Sequence, residues 1–317
     1  GEGTVEEDGD GFINFVYRVS DGKHHLIVKQ STLEARSKGS FTLDLNRYKL
    51  EYDAMKICAA IVPDLIPKLY DCDEENRVFI TEDVSYLRIS RFQLLKGVTY
   101  PKLADQIARY MAATQFYTSE YYLDTKRFRD LSVHFMNTTM RKIMEVGMFL
   151  TSVTPEDTVG RPLDPEFITF SKRICADPAV LLARQKLRHL FMSKGECLIH
   201  CDLHTSNIFA SQTEAKVIDM EYSFFGPFAY DMGYFTANFI AQYAAAAFRP
   251  FETEEARKEF KAYCLFMIRE TYVKYCEYFT QYCKEDSKVE YHNIPGLAED
   301  FCLTTLREFI GFAASAM

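Results

Sequence analysis

The stretch from Leu198 to Gly226 constrains this chain more than any other. It reads LIHCDLHTSNIFA over 198–210 and AKVIDMEYSFFG over 215–226. Short apolar runs alternate there with loops of Asp, Asn, Ser and His, the pattern of short strands joined by tight turns. The loops carry His200-x-Asp202, then Asn207 five residues beyond the Asp, then Asp219-x-Glu221 at the end of an apolar strand. In extended chain the side-chain period is two, so Asp219 and Glu221 point the same way. Two carboxylates on one side can serve one metal cluster.

An H-x-D-x4-N run followed about a dozen residues later by an acidic doublet is the layout of a kinase catalytic loop and metal-binding segment. Either motif alone is weak, since a lone H-x-D is often a surface turn and a lone D-x-E usually solvated charge. Their order, each beside a β-rich stretch, favours phosphoryl transfer. Asp202 can accept the proton of a substrate hydroxyl and aim its oxygen at the γ-phosphorus of ATP. Asn207, Asp219 and Glu221 offer hard oxygens suited to Mg2+.

The first third of the chain supplies candidate nucleotide-binding parts. Strands are expected at Phe12 to Val19 and His25 to Gln30, around the hairpin signal Ser20-Asp21-Gly22-Lys23. A helix is expected from Leu43 to Val62, closed by Pro63, and two more strands near 68–71 and 77–81. Lys29 ends the apolar run Leu26-Ile27-Val28; it can reach the α/β-phosphates while Glu51, mid-helix, holds it. The bland alternatives are an exposed strand-end lysine and a solvated glutamate. Gly9-Asp10-Gly11 can bring backbone N–H groups near phosphates, although any tight turn uses G-x-G. Thr81-Glu82-Asp83-Val84 is either the connector that offers backbone groups to adenine or an ordinary interdomain loop.

Long helices are expected from about residue 99, with Asp177-Pro178 as an N-cap and first helical position. The 317 residues suit two domains or one bilobal unit. The expected fold is therefore α+β and protein-kinase-like: a small β-rich N-lobe over 1–85 and a larger, mostly helical C-lobe over 86–317 holding the catalytic loop and substrate site. A formal charge of −8 gives no broad basic field, which argues against nucleic acid or an anionic membrane as partner. The nine cysteines are scattered, odd in number and never spaced C-x-x-C, so reduced cytoplasmic thiols are expected. The acidic, Gly-rich start does not suit a secretory signal, and Ala237 to Phe248 is too short and too polar to cross a bilayer. The Tyr-rich run from Tyr263 to Tyr282 is spaced like a helix core face.

LIHCDLHTSNIF and VIDMEYSFFGPFAYDMG resemble the 5-methylthioribose kinases, within the aminoglycoside-phosphotransferase and choline-kinase superfamily. GDGFINFVYRV (9–19), LIVKQ (26–30), TEDVS (81–85) and ATQFYTSEYYL (113–123) agree with that resemblance. It implies Mg-ATP-dependent phosphorylation of the 1-hydroxyl of methylthioribose, in methionine salvage, by a cytoplasmic homodimer. By position it makes Asp202 the catalytic base, Asp219 and Glu221 the metal ligands and Lys29 the phosphate contact. Gly9, Gly11 and Asn14 belong to the matching phosphate-side turn, and Glu82 and Val84 lend backbone to adenine. Asp231 braces the catalytic loop. The chain departs from the family at Cys201, where the family has Gly, and at Ser206-Asn207, where it has Gly-Ser. Arg307-Glu308 stands where the family has an Arg pair holding the sugar, and Lys38 to Phe41 where it has a Trp-bearing loop. Arg307 is thus the expected substrate contact. Glu308 can pair an amine, which keeps a choline-, aminoglycoside- or other sugar-directed kinase as the alternative. A nucleotide-binding pseudokinase is the third reading.

Overall fold

The structure is a computed structural model, and it describes residues 3–7, 14–32, 43–150 and 164–317. Gly9, Gly11 and the Lys38 to Phe41 region lie outside the described residues. Strands β1 (Thr4–Glu7), β2 (Phe15–Ser20), β3 (His25–Gln30), β4 (Leu69–Asp73) and β5 (Val78–Glu82) form one antiparallel sheet in the order β1-β2-β3-β5-β4. The β2–β3 turn closes on Asp21, whose Oδ1 accepts the N–H groups of Lys23 at 2.9 Å and His24 at 2.7 Å. Gly22 supplies the positive φ of 85° that this turn needs. That register sets Lys29 opposite Val16 on one side and Phe79 on the other.

Helix α1 (Arg47–Ile61) crosses the sheet through Tyr48, Glu51, Ala54, Met55 and Cys58, a three- and four-residue spacing that builds one buried face. It starts four residues later than the periodicity predicts. The Asp44 carboxylate accepts the Asn46 N–H at 2.8 Å, and this turn holds Leu43 to Asn46 outside the helix. Pro63 ends it as expected, with the Val62 N–H bonded to the Cys58 carbonyl at 2.8 Å.

The rest is a larger helical lobe: α2 (Ser90–Leu95), α3 (Leu103–Tyr117), α4 (Thr125–His134), α5 (Thr138–Glu145), a π-helical turn at Val146–Leu150, α6 (Pro165–Cys175), α7 (Pro178–Ser193), α8 (Ala229–Ala245), α9 (Glu254–Asp286) and α10 (Leu297–Ser315). Asp177 caps α7 as its sequence predicts, accepting the Ala179 N–H at 2.8 Å. The Tyr-rich run is the middle of α9, which buries Cys264, Met267, Thr271, Tyr275, Phe279 and Cys283 at helical spacing. Phe279 stacks on Phe301 of α10 with ring centroids 3.6 Å apart. Helix α8 runs through the core, and its Gly233 lets α10 approach closely: a Cβ there would lie 2.6 Å from that of Phe312 and 2.9 Å from the Phe309 carbonyl oxygen.

The expected hairpin insert is two small sheets. Strand β7 (Cys197–Ile199) pairs with β10 (Phe224–Gly226), and β8 (Ile208–Ala210) and β9 (Ala215–Val217) form a hairpin flanked by β6 (Arg88–Ile89). The short β6 escaped the sequence reading because two residues carry no periodicity. This insert is stitched to the segment after α1: the Val217 N–H donates to the Leu65 carbonyl at 2.8 Å, and buried Lys216 Nζ to that of Ile66 at 3.1 Å. Among the described residues no helix is long and apolar enough to cross a membrane.

Candidate active site

The loop between β7 and β8 is aimed from inside the core. Asp231, buried in the first turn of α8, accepts the N–H of His200 at 2.8 Å and of Cys201 at 2.9 Å, one on each carboxylate oxygen. The bracing expected of Asp231 is thus a two-point clamp on the residues preceding Asp202. His200 faces the Ile218 carbonyl through Nε2 at 2.9 Å, and its Nδ1 accepts the Asp202 N–H at 3.2 Å. Cys201 has φ 67°, the left-handed region where a side chain costs about 1–2 kcal/mol and Gly costs nothing. A glycine at this point of the loop, as in the resembling family, marks that conformation; here a buried thiol occupies it. Burial pushes the thiol's pKa up, so Cys201 packs rather than reacts.

Asp202 is almost enclosed, yet it remains ionised. Burial would raise its pKa, but hydrogen bonds and charge from His204, the His200 ring and the Tyr234 hydroxyl hold it below the usual carboxylate value. The Asn207 amide donates to its carbonyl at 3.0 Å and to Oδ2 at 3.1 Å, while His204 Nε2 lies 3.4 Å from the same Oδ2. The Ser206 N–H donates to His204 Nδ1 at 3.1 Å, fixing the ring. Burial disfavours the imidazolium, but Asp202 and Asp219 outweigh it and raise the His204 pKa.

The acidic doublet meets the N-lobe. Lys29 Nζ binds Glu51 Oε1 at 2.7 Å and also pairs directly with Asp219 Oδ1. Burial alone would lower the Lys29 pKa; Asp219, Glu51 and Glu221 together raise it. Glu221 is buried, its Oε2 accepting the Asn14 amide at 2.8 Å, with Arg47 Nε 3.5 Å away. Burial, then the neighbouring charge of Asp219, pushes the Glu221 pKa up to about 8, and burial pushes Glu51 to about 7. Asp219 itself sits at φ 68°. The Ile218 N–H donates to the Asn207 carbonyl at 3.0 Å, which brings the Asn207 backbone alongside the start of the doublet.

These residues fit Mg2+. The amide nitrogen of Asn207 is spent on Asp202, which leaves its oxygen to offer a cation, and Asp219 and Glu221 would add two carboxylates. Burial first, and then the neighbouring charge of Asp219, raises the Glu221 and Glu51 carboxyl pKa values. Among the described residues no group of three or more His, Cys, Asp or Glu forms a cage for a metal. Mg2+ usually takes one or two carboxylates and completes its shell with water and phosphate oxygens.

Other predicted residues fare differently. The Glu82 side chain is structural: Oε2 accepts the Lys68 N–H at 3.1 Å and lies 4.0 Å from Lys216. The Glu82 N–H donates to the Lys68 carbonyl at 2.8 Å, and the Val84 carbonyl accepts the Leu87 N–H at 2.9 Å. Asp83 between them is tied to β2 by Arg18 Nε at 2.6 Å. The Asn14 amide oxygen takes Arg47 at 2.8 Å and the Ser31 hydroxyl at 3.1 Å. Arg307 is exposed on α10. Glu308 is taken by Lys194 at 2.6 Å, bridging α10 to the end of α7, so it does not wait for an amine.

Two residues escaped the sequence reading. Asn137, left-handed at φ 40°, donates to the Glu221 carbonyl at 2.8 Å and the Ser223 carbonyl at 3.0 Å, fixing the metal segment's backbone. Its only local signal is an Asn ahead of a Thr-Thr helix start. Arg47 lacked any signal beyond its place in the helix. A cavity of about 500 Å3 opens beside the catalytic loop. Its lining mixes Arg91, His204, Ser206 and Asn238 with Ile240, Ala241, Ala244 and Met317.

A family model described as phosphotransferase enzyme family matches residues 160–273. The methylthioribose kinase of Geobacillus sp. (strain WCH70) is 35% identical over 319 residues, covering 98% of this chain and 76% of that protein. That of Geobacillus thermodenitrificans (strain NG80-2) is 34% identical over 310 residues, covering 97% and 75%. Among solved structures, a glucosamine kinase aligns over 99% of this chain and 76% of its own with TM-score 0.48 and 13% identity, a likeness too loose to bear on substrate.

Proposed function

The chain belongs to the methylthioribose kinase family, and from that membership we propose that it transfers the γ-phosphoryl group of ATP to the 1-hydroxyl of 5-methylthioribose. The observation that carries this reading is the meeting of Lys29, Asp219 and Glu221 beside the Asp202 loop. Lys29 would neutralise phosphate charge, held in place by Glu51. Asn207, Asp219 and Glu221 would hold Mg2+, which screens the triphosphate's negative charge and fixes its orientation. The Val84 N–H and the Glu82 carbonyl would read the adenine edge.

Asp202 would accept the acceptor's hydroxyl proton. Its Oδ2 is already occupied by Asn207 and His204, which fixes the direction in which the carboxylate faces the incoming oxygen. The cavity beside it has a mixed lining that suits a small acceptor with hydroxyl and apolar groups, such as an alkylthio sugar: Arg91 and Ser206 offer polar contacts, Ile240 and Ala244 apolar ones. On this reading Arg307, exposed on α10, would contact the acceptor. The enzyme would act in methionine salvage, in the cytoplasm, as a homodimer.

The test is ADP release with methylthioribose, choline, ethanolamine and an aminoglycoside as acceptors. Turnover with methylthioribose at least about a hundredfold above the others in kcat/KM supports the assignment. Preference for an amine would move the chain to the amino-alcohol kinases; nucleotide binding without turnover on any acceptor would make it a pseudokinase. Light scattering in solution tests the dimer.

A further inference from the structure

Each acid of the doublet is gripped by an N-lobe cation. For Asp219 this is Lys29; for Glu221 it is Arg47. Arg47 stands in the first turn of α1 with its side chain fully buried. One terminal nitrogen donates to the Thr32 carbonyl at 2.7 Å and the Asp44 carbonyl at 3.2 Å, and the other to Asn14 Oδ1 at 2.8 Å. Asn14 in turn donates to Glu221 Oε2 at 2.8 Å, the atom 3.5 Å from Arg47 Nε. The guanidinium therefore reaches one carboxylate oxygen by two routes, as an ion pair at 3.5 Å without a hydrogen bond and through the amide of Asn14. Its terminal nitrogens are fixed by Thr32, Asp44 and Asn14, and a planar guanidinium held in this way keeps its charge in one place, which a flexible lysine does not.

We propose that Arg47 is a positioning residue for metal binding: it fixes Oε2 of Glu221, directly and through Asn14, so that the carboxylate is oriented before the cation arrives. The arrangement also joins the metal segment to the helix that carries Glu51, so the Lys29 and Glu221 contacts rest on one rigid element. This inference depends on the reading of Asp219 and Glu221 as metal ligands.

The experiment is a Mn2+ titration of the enzyme–ADP complex, followed by electron paramagnetic resonance, for wild type, Arg47→Lys, Arg47→Met, Asn14→Ala and Asp219→Ala. ADP affinity in EDTA and thermal midpoints are measured alongside. Partners of metal ligands typically contribute 10–100-fold to affinity, so Arg47→Met should raise the Mn2+ dissociation constant about tenfold or more, with Asn14→Ala and Arg47→Lys in between. ADP affinity without metal should stay at the wild-type value. Wild-type Mn2+ affinity in both Arg47 variants, tighter Mn2+ binding, or an equal loss of metal-free ADP affinity overturns the proposal, whatever the midpoints do. Because Arg47→Lys keeps a cation in the buried site, it carries the test if Arg47→Met does not fold. Wild-type Mn2+ affinity in Asp219→Ala would instead reject the ligand assignment itself.

Discussion

Lys29 and Asp219, 190 positions apart in the chain, meet in a direct ion pair that joins the N-terminal sheet to the acidic doublet. The same ammonium binds Glu51 on α1, so one cation serves two carboxylates from two lobes. Lys29→Met leaves both acids without it. We expect kcat/KM to fall about 10²–10³-fold, the usual loss on removing one preorganised electrostatic contact. Steady-state kinetics at saturating acceptor check this; a loss below tenfold would remove Lys29 from the phosphate site.

Asp202→Asn keeps the shape of the loop and removes only the proton acceptor. Turnover should fall about 10²–10⁴-fold. Nucleotide affinity, measured by calorimetry, should stay at the wild-type value, because no nucleotide contact is assigned to this side chain. Near-normal turnover would show that another group takes the proton.

Asp231→Asn places an NH2 group against one of the two backbone N–H donors now accepted by the carboxylate. The buried mismatch should cost about 1–3 kcal/mol in urea unfolding. Activity should fall further than the loss of folded protein explains, since the clamped residues lead directly into Asp202. Equal losses of the two would make Asp231 purely structural.

The Arg18–Asp83 pair gives a pH signature. Burial would raise the Asp83 pKa, but Ser85 and Arg18 outweigh it and hold it below the ordinary 3.8. A depressed native value means the pair stabilises the fold above pH 3.8 and loses that contribution as pH falls through the native value. Asp83→Asn should therefore be less stable than wild type by about 1–2 kcal/mol at neutral pH. Urea titrations from pH 7 downward should show the two curves converging only in acid. A constant gap would mean the loss is steric.

Gly233→Ala should destabilise by about 1–3 kcal/mol through overpacking, because two of the three atoms met by the new Cβ belong to the α10 backbone. Chemical denaturation reads this; an unchanged midpoint would mean that α10 gives way freely.

The catalytic loop and the doublet were legible because their chemistry is encoded in local spacing: an Asp and an Asn five residues apart, and two acids at strand period. Lys29 and Glu51 were legible once strand and helix ends were placed. Arg47 was not, because its role is set by Glu221, which lies in another part of the chain and meets it only in the folded structure. Asn137 acts through its amide on distant carbonyls, and no pattern announces that. Arg307 was placed by a motif match alone, and its side chain is exposed on α10. The start of α1 was missed because Asp44 offers the backbone a competing turn.

The β9 strand, pinned to residues 65 and 66 by Val217 and Lys216, lies immediately before Asp219. The stretch that leads into Asp219 is therefore anchored twice, by its own hairpin partner β8 and by the segment that follows α1, so the carboxylate that pairs with Lys29 hangs from a backbone fastened on both sides.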